Sequence, residues 1–387
     1  MENNTQLKEM IRSMVIDILQ GQKQEMASSQ PIKQAPRGQV EPGVFDTVDE
    51  AIQAAKAAQA RFEDCTLATR EKVIADIRAA MRPRVQELAQ KTVDETGMGR
   101  VADKVLKLNL TLDKTPGVED LVTECETGDN GMTLYELSAY GVIGAVTPST
   151  NPAETLICNT IGMLAAGNAV FFSVHPGAKH LSRLLVSELN QIIAKSIGIE
   201  NLIVTLREPS IESAQEMMLH PDVSLLVVTG GPGVVKQALQ SGKKVIGAGA
   251  GNPPAFVDET ADIKKAAQDI VLGASLDNNI LCIAEKSVVA MRQIEPQLVQ
   301  EMVKAGCVLI ENQQDIQRLV DLTVLPNGTP NKKFVGKNAS VILDSAHIPY
   351  NGDPRLIIMR APKDHPFAVI EMLMPILPVV TVDSFDE

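Results

Sequence analysis

From residue 140 onward, short runs of apolar and β-branched residues alternate with amphipathic stretches, and this alternation constrains the fold most. Strands are expected at 140–146 (YGVIGAV), 169–174, 202–205, 224–229, 243–247 and 255–258. Helices are expected between them at about 152–166, 177–197, 211–219, 232–241 and 260–274. Strands that read as continuous apolar runs are buried on both faces, which means an α/β fold with a parallel sheet covered by helices. A strand at 287–291 and a helix at 294–305 begin a second α/β unit, followed by Asn-, Gly- and Pro-rich loops at 326–339 and 350–354.

Upstream, the ordered body starts near Phe45. Thr47-Val-Asp-Glu50 reads as a capping box opening a helix to about Phe62. A second helical stretch covers about 67–96, bent or broken at Pro83 and ended by Gly97, and a third runs from Val101 to Leu112. Residues 132–138 and 140–146 read as a hairpin. In residues 1–20, Leu7, Met10, Ile11, Met14 and Ile18 form one apolar stripe at helical spacing. Residues 21–43 have a linker's composition. A helix tethered in this way either docks on a partner or folds back on its own domain.

The 387 residues allow two or three domains at roughly 100–200 residues each. A net charge of -12 argues against nucleic acid as a partner, and 3% aromatics with no Trp argue against a base- or sugar-stacking platform. No apolar run reaches the ~18 residues of a membrane-spanning helix. Cys65, Cys125, Cys158, Cys282 and Cys307 are scattered and contain no CxxC pair, so neither a disulfide framework nor a zinc site is expected. The five histidines are not spaced as metal pairs, and no metal is expected.

Several segments offer chemistry. Thr229-Gly-Gly-Pro-Gly233 joins an apolar strand to a helix and is either a tight βα turn or a place where a phosphate approaches the backbone. Gly247-Ala-Gly-Ala-Gly-Asn-Pro-Pro254 is nearly free of side chains and suits a wall beside a ligand better than a packed element. Cys282 follows a polar Asp-Asn-Asn bend between apolar segments and stands out among the cysteines. Asn151, in Thr147-Pro-Ser-Thr-Asn-Pro152, is either a helix N-cap or an amide donor to an oxyanion. His175-Pro-Gly follows a strand end, where ligands sit in open α/β sheets.

Together, DETGMGR (94–100), TPGVEDL (115–121), TPSTNPAET (147–155), HPGAK (175–179), VVTGGPG (227–233), SGKKVIGAGAGNPP (241–254), VDETAD (257–262) and CIAEKS (282–287) resemble the aldehyde dehydrogenase superfamily. Within it, the chain is most similar to the CoA-acylating aldehyde dehydrogenases of bacterial microcompartments. The resemblance implies a Rossmann-type NAD-binding domain over 44–255 and an α/β catalytic domain over 256–387. It implies Cys282 as nucleophile and Asn151 as oxyanion donor, paired with the Cys282 N–H. It places Ser149, His175, Gly177, Thr229, Gly230, Gly231, Val234 and Glu371 around NAD. Coenzyme A is implied as acyl acceptor. The implied aldehyde is propionaldehyde, with acetaldehyde, as in ethanolamine utilisation, the alternative. Residues 1–20 resemble an encapsulation peptide, implying a shell-protein partner and a place in the cytoplasmic microcompartment lumen.

Two departures from the family pattern matter. The glutamate general base of hydrolytic members falls here on Ala248, which disfavours water as acceptor. Family chains also continue for several dozen residues past the segment matching 379–387, completing the catalytic domain and supplying an oligomerisation strand. On that basis the catalytic domain is expected to be incomplete, with reduced activity and an uncertain homo-oligomer.

Overall fold

The computed structural model describes residues 41–384 and Asp386, so the expected helix at 1–20 and most of the linker at 21–43 lie outside the described residues. Pro42 onward forms one compact unit. Along it run strands β1 (Val44–Phe45), β2 (Glu124–Gly128), β3 (Gly131–Tyr135), β4 (Val142–Val146), β5 (Ala169–Ser173), β6 (Ile203–Leu206), β7 (Val223–Thr229) and β8 (Lys244–Ala248). They are followed by β9 (Pro254–Val257), β10 (Ser287–Met291), β11 (Cys307–Leu309), β12 (Leu356–Arg360) and β13 (Ile376–Val382).

Six of these strands form a sheet ordered β1-β6-β5-β4-β7-β8, all in parallel register. Strands β5 and β6 are buried at every position because helices cover both faces, as their unbroken apolar sequence requires. The core of this half packs Phe62, Leu156, Phe171, Phe172 and Leu185 between the sheet and helices Val48–Glu63, Pro152–Ala165 and Lys179–Ile197. A second parallel sheet, ordered β11-β12-β13-β10-β9, has its own core. The segment between β8 and β9 therefore carries the chain from one sheet to the other.

The long elements lie where the sequence predicts them, and the shorter ones differ in identifiable places. The hairpin pairs β2 with β3 through a turn at Asp129-Asn130, and 142–146 joins the main sheet instead. Every residue of the hairpin strands is exposed, so no buried face marks their register in the sequence. The stretch 67–96 divides into Leu67–Met81 and Val85–Thr96 about a 3₁₀ turn containing Pro83, and ends at Gly97 in the left-handed region. At Thr47 only half of the capping box forms: its hydroxyl accepts the Glu50 N–H, while the Glu50 carboxylate meets that hydroxyl and not the backbone. Helix Gln313–Thr323 and strands β11, β12 and β13 complete the second unit beyond the elements expected from sequence. No helix among the described residues is long and apolar enough to cross a membrane.

Phe172→Ala, at a fully buried ring, should lower unfolding stability by about 3–5 kcal/mol, whereas Leu134→Ala on the exposed hairpin should change it by less than about 0.5 kcal/mol. Denaturant midpoints of the two variants measure the difference. Equal losses would mean that the six-stranded sheet is not the stabilising core.

Candidate active site

Because the six strands are parallel, their carboxyl ends share one edge, and the singled-out segments gather there. Residues 147–151 follow β4, His175 follows β5, Thr229–Gly231 close β7 and Ala248–Gly251 close β8. The chain runs from β4 through β5 to β6 on one side, then crosses to β7 and β8 on the other. Strand β4 is thus the switch point of the sheet, where ligands of open α/β sheets bind.

Along this edge a helix start is left without a side-chain cap. Gly231 caps helix Pro232–Leu239 with no side-chain hydrogen bond to the first turn, and Pro232 occupies its first position. Gly230 N–H is tied back to Ala248 O at 3.1 Å, and Val234 lies half-buried in the first turn. His175 Nδ1 accepts the Gly177 N–H at 3.0 Å and closes the turn after β5. Ser149 is half-buried, and close by Thr147 Oγ1 is buried without a hydrogen-bond partner among the described residues.

Cys282 is exposed and follows an unusual turn. Asp277, Asn278 and Asn279 all have positive φ (50, 57 and 63°) and all are buried. Left-handed backbone costs roughly 1–2 kcal/mol per ordinary residue, less for Asn and Asp, so this turn persists only because its surroundings hold it. Asp277 Oδ2 accepts from Lys104 Nζ at 3.0 Å and Lys107 Nζ at 2.5 Å, while its Oδ1 accepts the Arg100 N–H at 2.8 Å. Its own N–H donates to Asp103 Oδ2 at 2.9 Å. Asn278 accepts from Arg100 Nε and donates to Gly336 O, both at 2.8 Å. Gly99 sits so close that a Cβ there would lie 2.0 Å from Asp277 Oδ1, and its φ of +79° also favours glycine.

The same lysines reach Asn151. Lys107 Nζ donates to Asn151 Oδ1, lies 3.3 Å from Glu154 Oε1, and so connects Asn151 to Asp277. The alternative of Asn151 as a side-chain N-cap is excluded: it begins helix Pro152–Ala165 but makes no side-chain cap bond. With Oδ1 taken by the lysine, its Nδ2 is the donor, turned toward Thr150 Oγ1 at 3.2 Å. Burial lowers the Lys104 pKa, and the neighbouring Lys107 charge pushes the same way. Asp277 opposes both effects.

On the other side of Cys282 lies the glycine-rich wall. A Cβ on Gly251 would lie 2.6 Å from Cys282 O, so only glycine lets the two backbones approach this closely. Burial weakens the acidity of Glu371, an effect that the Gly251 backbone and the charge of Lys286 oppose. Asn252 Nδ2 donates to Ala368 O at 2.7 Å, fixing the wall to the second sheet's loops.

The structure thus connects Cys282, Asn151 and Glu371 through Lys107, Asp277 and Gly251, and sets His175, Gly177, Ser149, Thr229, Gly230, Gly231 and Val234 along the strand-end edge. Sequence reasoning missed Lys104, Lys107, Asp277 and Lys286. The first two lie on a helix whose burial inverts the usual preference of its residue types. Helix Val101–Lys114 exposes Leu106 and Leu110 while burying Asp103, Lys104 and Lys107, the reverse of an ordinary surface helix. Among the described residues, no cluster of His, Cys, Asp and Glu could hold a metal ion.

Comparison with known proteins bears on this geometry. The model of the aldehyde dehydrogenase family matches residues 18–387. A CoA-propanoylating propanal dehydrogenase of Salmonella typhimurium is 47% identical over 385 residues, covering 99% of this chain and 80% of the relative. A propionaldehyde dehydrogenase of Rhodopseudomonas palustris, solved with CoA and an acylated cysteine, superposes with a TM-score of 0.86 at 47% identity, covering 90% of this chain and 80% of that one. A propionaldehyde dehydrogenase from the fucose-utilisation microcompartment of Clostridium phytofermentans gives a TM-score of 0.86 at 47% identity, covering 89% and 79%. This chain belongs to the aldehyde dehydrogenase family.

Asp277→Asn keeps the side-chain shape and the tolerance of left-handed backbone but removes the charge between two buried lysines. It should destabilise the fold by about 3–5 kcal/mol, because breaking a buried pair leaves uncompensated charge. Chemical denaturation measures this, and an unchanged midpoint would show that the turn does not depend on the ion cluster.

Proposed function

We propose that this aldehyde dehydrogenase oxidises a short aliphatic aldehyde, propionaldehyde foremost, to its acyl-CoA with NAD and CoA, through a thioester on Cys282. The observation that carries the reading is the exposed Cys282 held on a buried, charge-locked turn beside a glycine wall, with Ala248 where hydrolytic relatives carry a base. Similarity to propanal dehydrogenases across nearly the whole chain supports it.

Residues 44–255 form the cofactor half in this reading and 256–387 the catalytic half. The crevice fits NAD: the uncapped helix start at Gly231 suits its phosphates, and the unpartnered Thr147 Oγ1 leaves an open polar position. Thr229, Gly230, Gly231 and Val234 hold the phosphates, Ser149, His175 and Gly177 the adenosine side, and Glu371 the nicotinamide ribose. NAD supplies the hydride acceptor when bound there.

The chain's own residues do the rest. The Cys282 thiolate adds to the aldehyde carbonyl, and the resulting oxyanion is held by Asn151 Nδ2 and the Cys282 N–H. Lys107 orients that amide by occupying its oxygen. Oxidation of the adduct leaves an acyl thioester on Cys282. The thiol of CoA attacks the thioester carbonyl, displaces the Cys282 thiolate and leaves as acyl-CoA, restoring the free enzyme. A thiol is more acidic and more nucleophilic than water, so it needs no general base at position 248. Water does need one and finds alanine.

Cys282→Ala should abolish acyl-CoA formation. Without CoA, the wild-type enzyme should release about one NADH per active site in a burst and then almost no free acid. Stopped-flow absorbance and product chromatography read both, and rapid acid release would contradict thiolysis. A higher kcat/KM for acetaldehyde than for propionaldehyde would overturn the substrate assignment.

We also propose that residues 1–20 dock the enzyme to a microcompartment shell protein and place it in the lumen, and that it works as a homo-oligomer. The apolar stripe of those residues and the similarity to a microcompartment enzyme support the docking. Deleting residues 1–20 should leave kcat unchanged and abolish co-purification with shells, and retained co-purification would refute it.

A further inference from the structure

Lys286 lies four residues past the proposed nucleophile and is 3% exposed. Its ammonium donates to three neutral oxygens: Asn279 O at 2.8 Å, Leu281 O at 2.7 Å and Asn279 Oδ1. Its backbone N–H donates to Pro253 O at 2.9 Å, so the residue is anchored to the glycine wall as well. A buried ammonium is costly, and a hydrophobic residue of similar length could fill the space. What the ammonium adds is charge and direction.

The direction is specific. Leu281 C=O and Cys282 N–H are opposite ends of one planar peptide group. A cation held at the oxygen fixes the plane of that peptide and draws electron density from its nitrogen, making the N–H a stronger donor on the far side. Its second anchor, at both oxygens of Asn279, fastens the last left-handed residue of the turn.

We infer that Lys286 is a positioning residue that aims and polarises the Leu281–Cys282 peptide, so that the Cys282 N–H stabilises the oxyanion formed on the substrate. The inference rests on Cys282 as nucleophile and adds to it the group that prepares its backbone. Burial lowers the Lys286 pKa to about 8, while the charges of Glu371, Cys282 and Glu285 work in the opposite direction. As pH rises through about 8 the ammonium loses its proton, and the positive end of this arrangement is lost with it. The oxidation step should therefore slow on the alkaline side.

The test compares Lys286→Met, which removes donor and charge, with Lys286→Gln, which keeps an N–H donor without charge. The readout is the NADH burst with propionaldehyde and NAD in the absence of CoA. Lys286→Met should keep the burst amplitude of about one per site, showing folded and intact sites, while the burst rate falls roughly 10- to 100-fold, less than or near the loss of an outright oxyanion donor. KM for the aldehyde should stay within about twofold of wild type. Lys286→Gln should fall between Lys286→Met and wild type, and the alkaline limb near pH 8 should be absent from both variants. A wild-type burst rate in Lys286→Met, or an alkaline limb that survives there, overturns the inference. A reduced amplitude at wild-type rate per active site also overturns it, since that is the signature of a purely structural role. Cys282→Ala, assayed alongside, tests the underlying reading: if it retains a burst the nucleophile assignment falls, and if it is silent while Lys286→Met is normal only the positioning role falls.

Discussion

The Asp277 carboxylate, fully buried between two lysine ammonium groups, is the interaction on which the site depends. Three charges removed from water tolerate no half-measures: the penalty of burying each is offset only while all the partners are present. Asp277 therefore acts as a pin with four attachments. Two are side chains of helix Val101–Lys114, one is the Arg100 amide that precedes that helix, and one is the bond from its own N–H to Asp103. Through these bonds the pin draws the left-handed turn against the helix, presents Cys282 at the end of the turn, and reaches Asn151 by way of Lys107.

The two sides of Cys282 are supported in different ways. On the Asn151 side, order comes from charge. On the Glu371 side, it comes from the absence of side chains, with Gly251 letting backbone meet backbone, and from Lys286 clamping carbonyl oxygens. Such a site needs few residues in direct contact with a reactant. The main-chain groups around Cys282 are oriented from behind, by Lys286 at the carbonyl oxygens and by the close approach of Gly251.

Much of the fold was legible in the sequence, and the reason is physical. Strands β4 to β6, buried on both faces, leave largely apolar runs, and the helices between them carry a clear stripe. Cys282, Asn151 and the Thr229–Gly233 turn were visible because their types and neighbours are unusual for packing. The rest was hidden for particular reasons. The hairpin buries nothing, so its register left no trace. Strand β11 is three residues long and β13 is broken by Pro378, so neither matches a clean strand pattern. Lys104, Lys107 and Lys286 are residue types that usually face water, and only a three-dimensional arrangement shows that here they do not.

The partners of the Asp277 pin lie far apart along the chain: Lys104 and Lys107 precede it by 173 and 170 residues. Contacts of such separation form only after the intervening chain has closed on itself, and the entropy of that closure is spent before the contacts return anything. Five of the six strands of the first sheet, β4 to β8, lie within that interval. A left-handed turn of three non-glycine residues has no local reason to exist before its partners arrive. In the order of folding, the geometry around Cys282 is thus among the last features the chain acquires, and its thiol takes up its working surroundings only once the scaffold that controls it is complete.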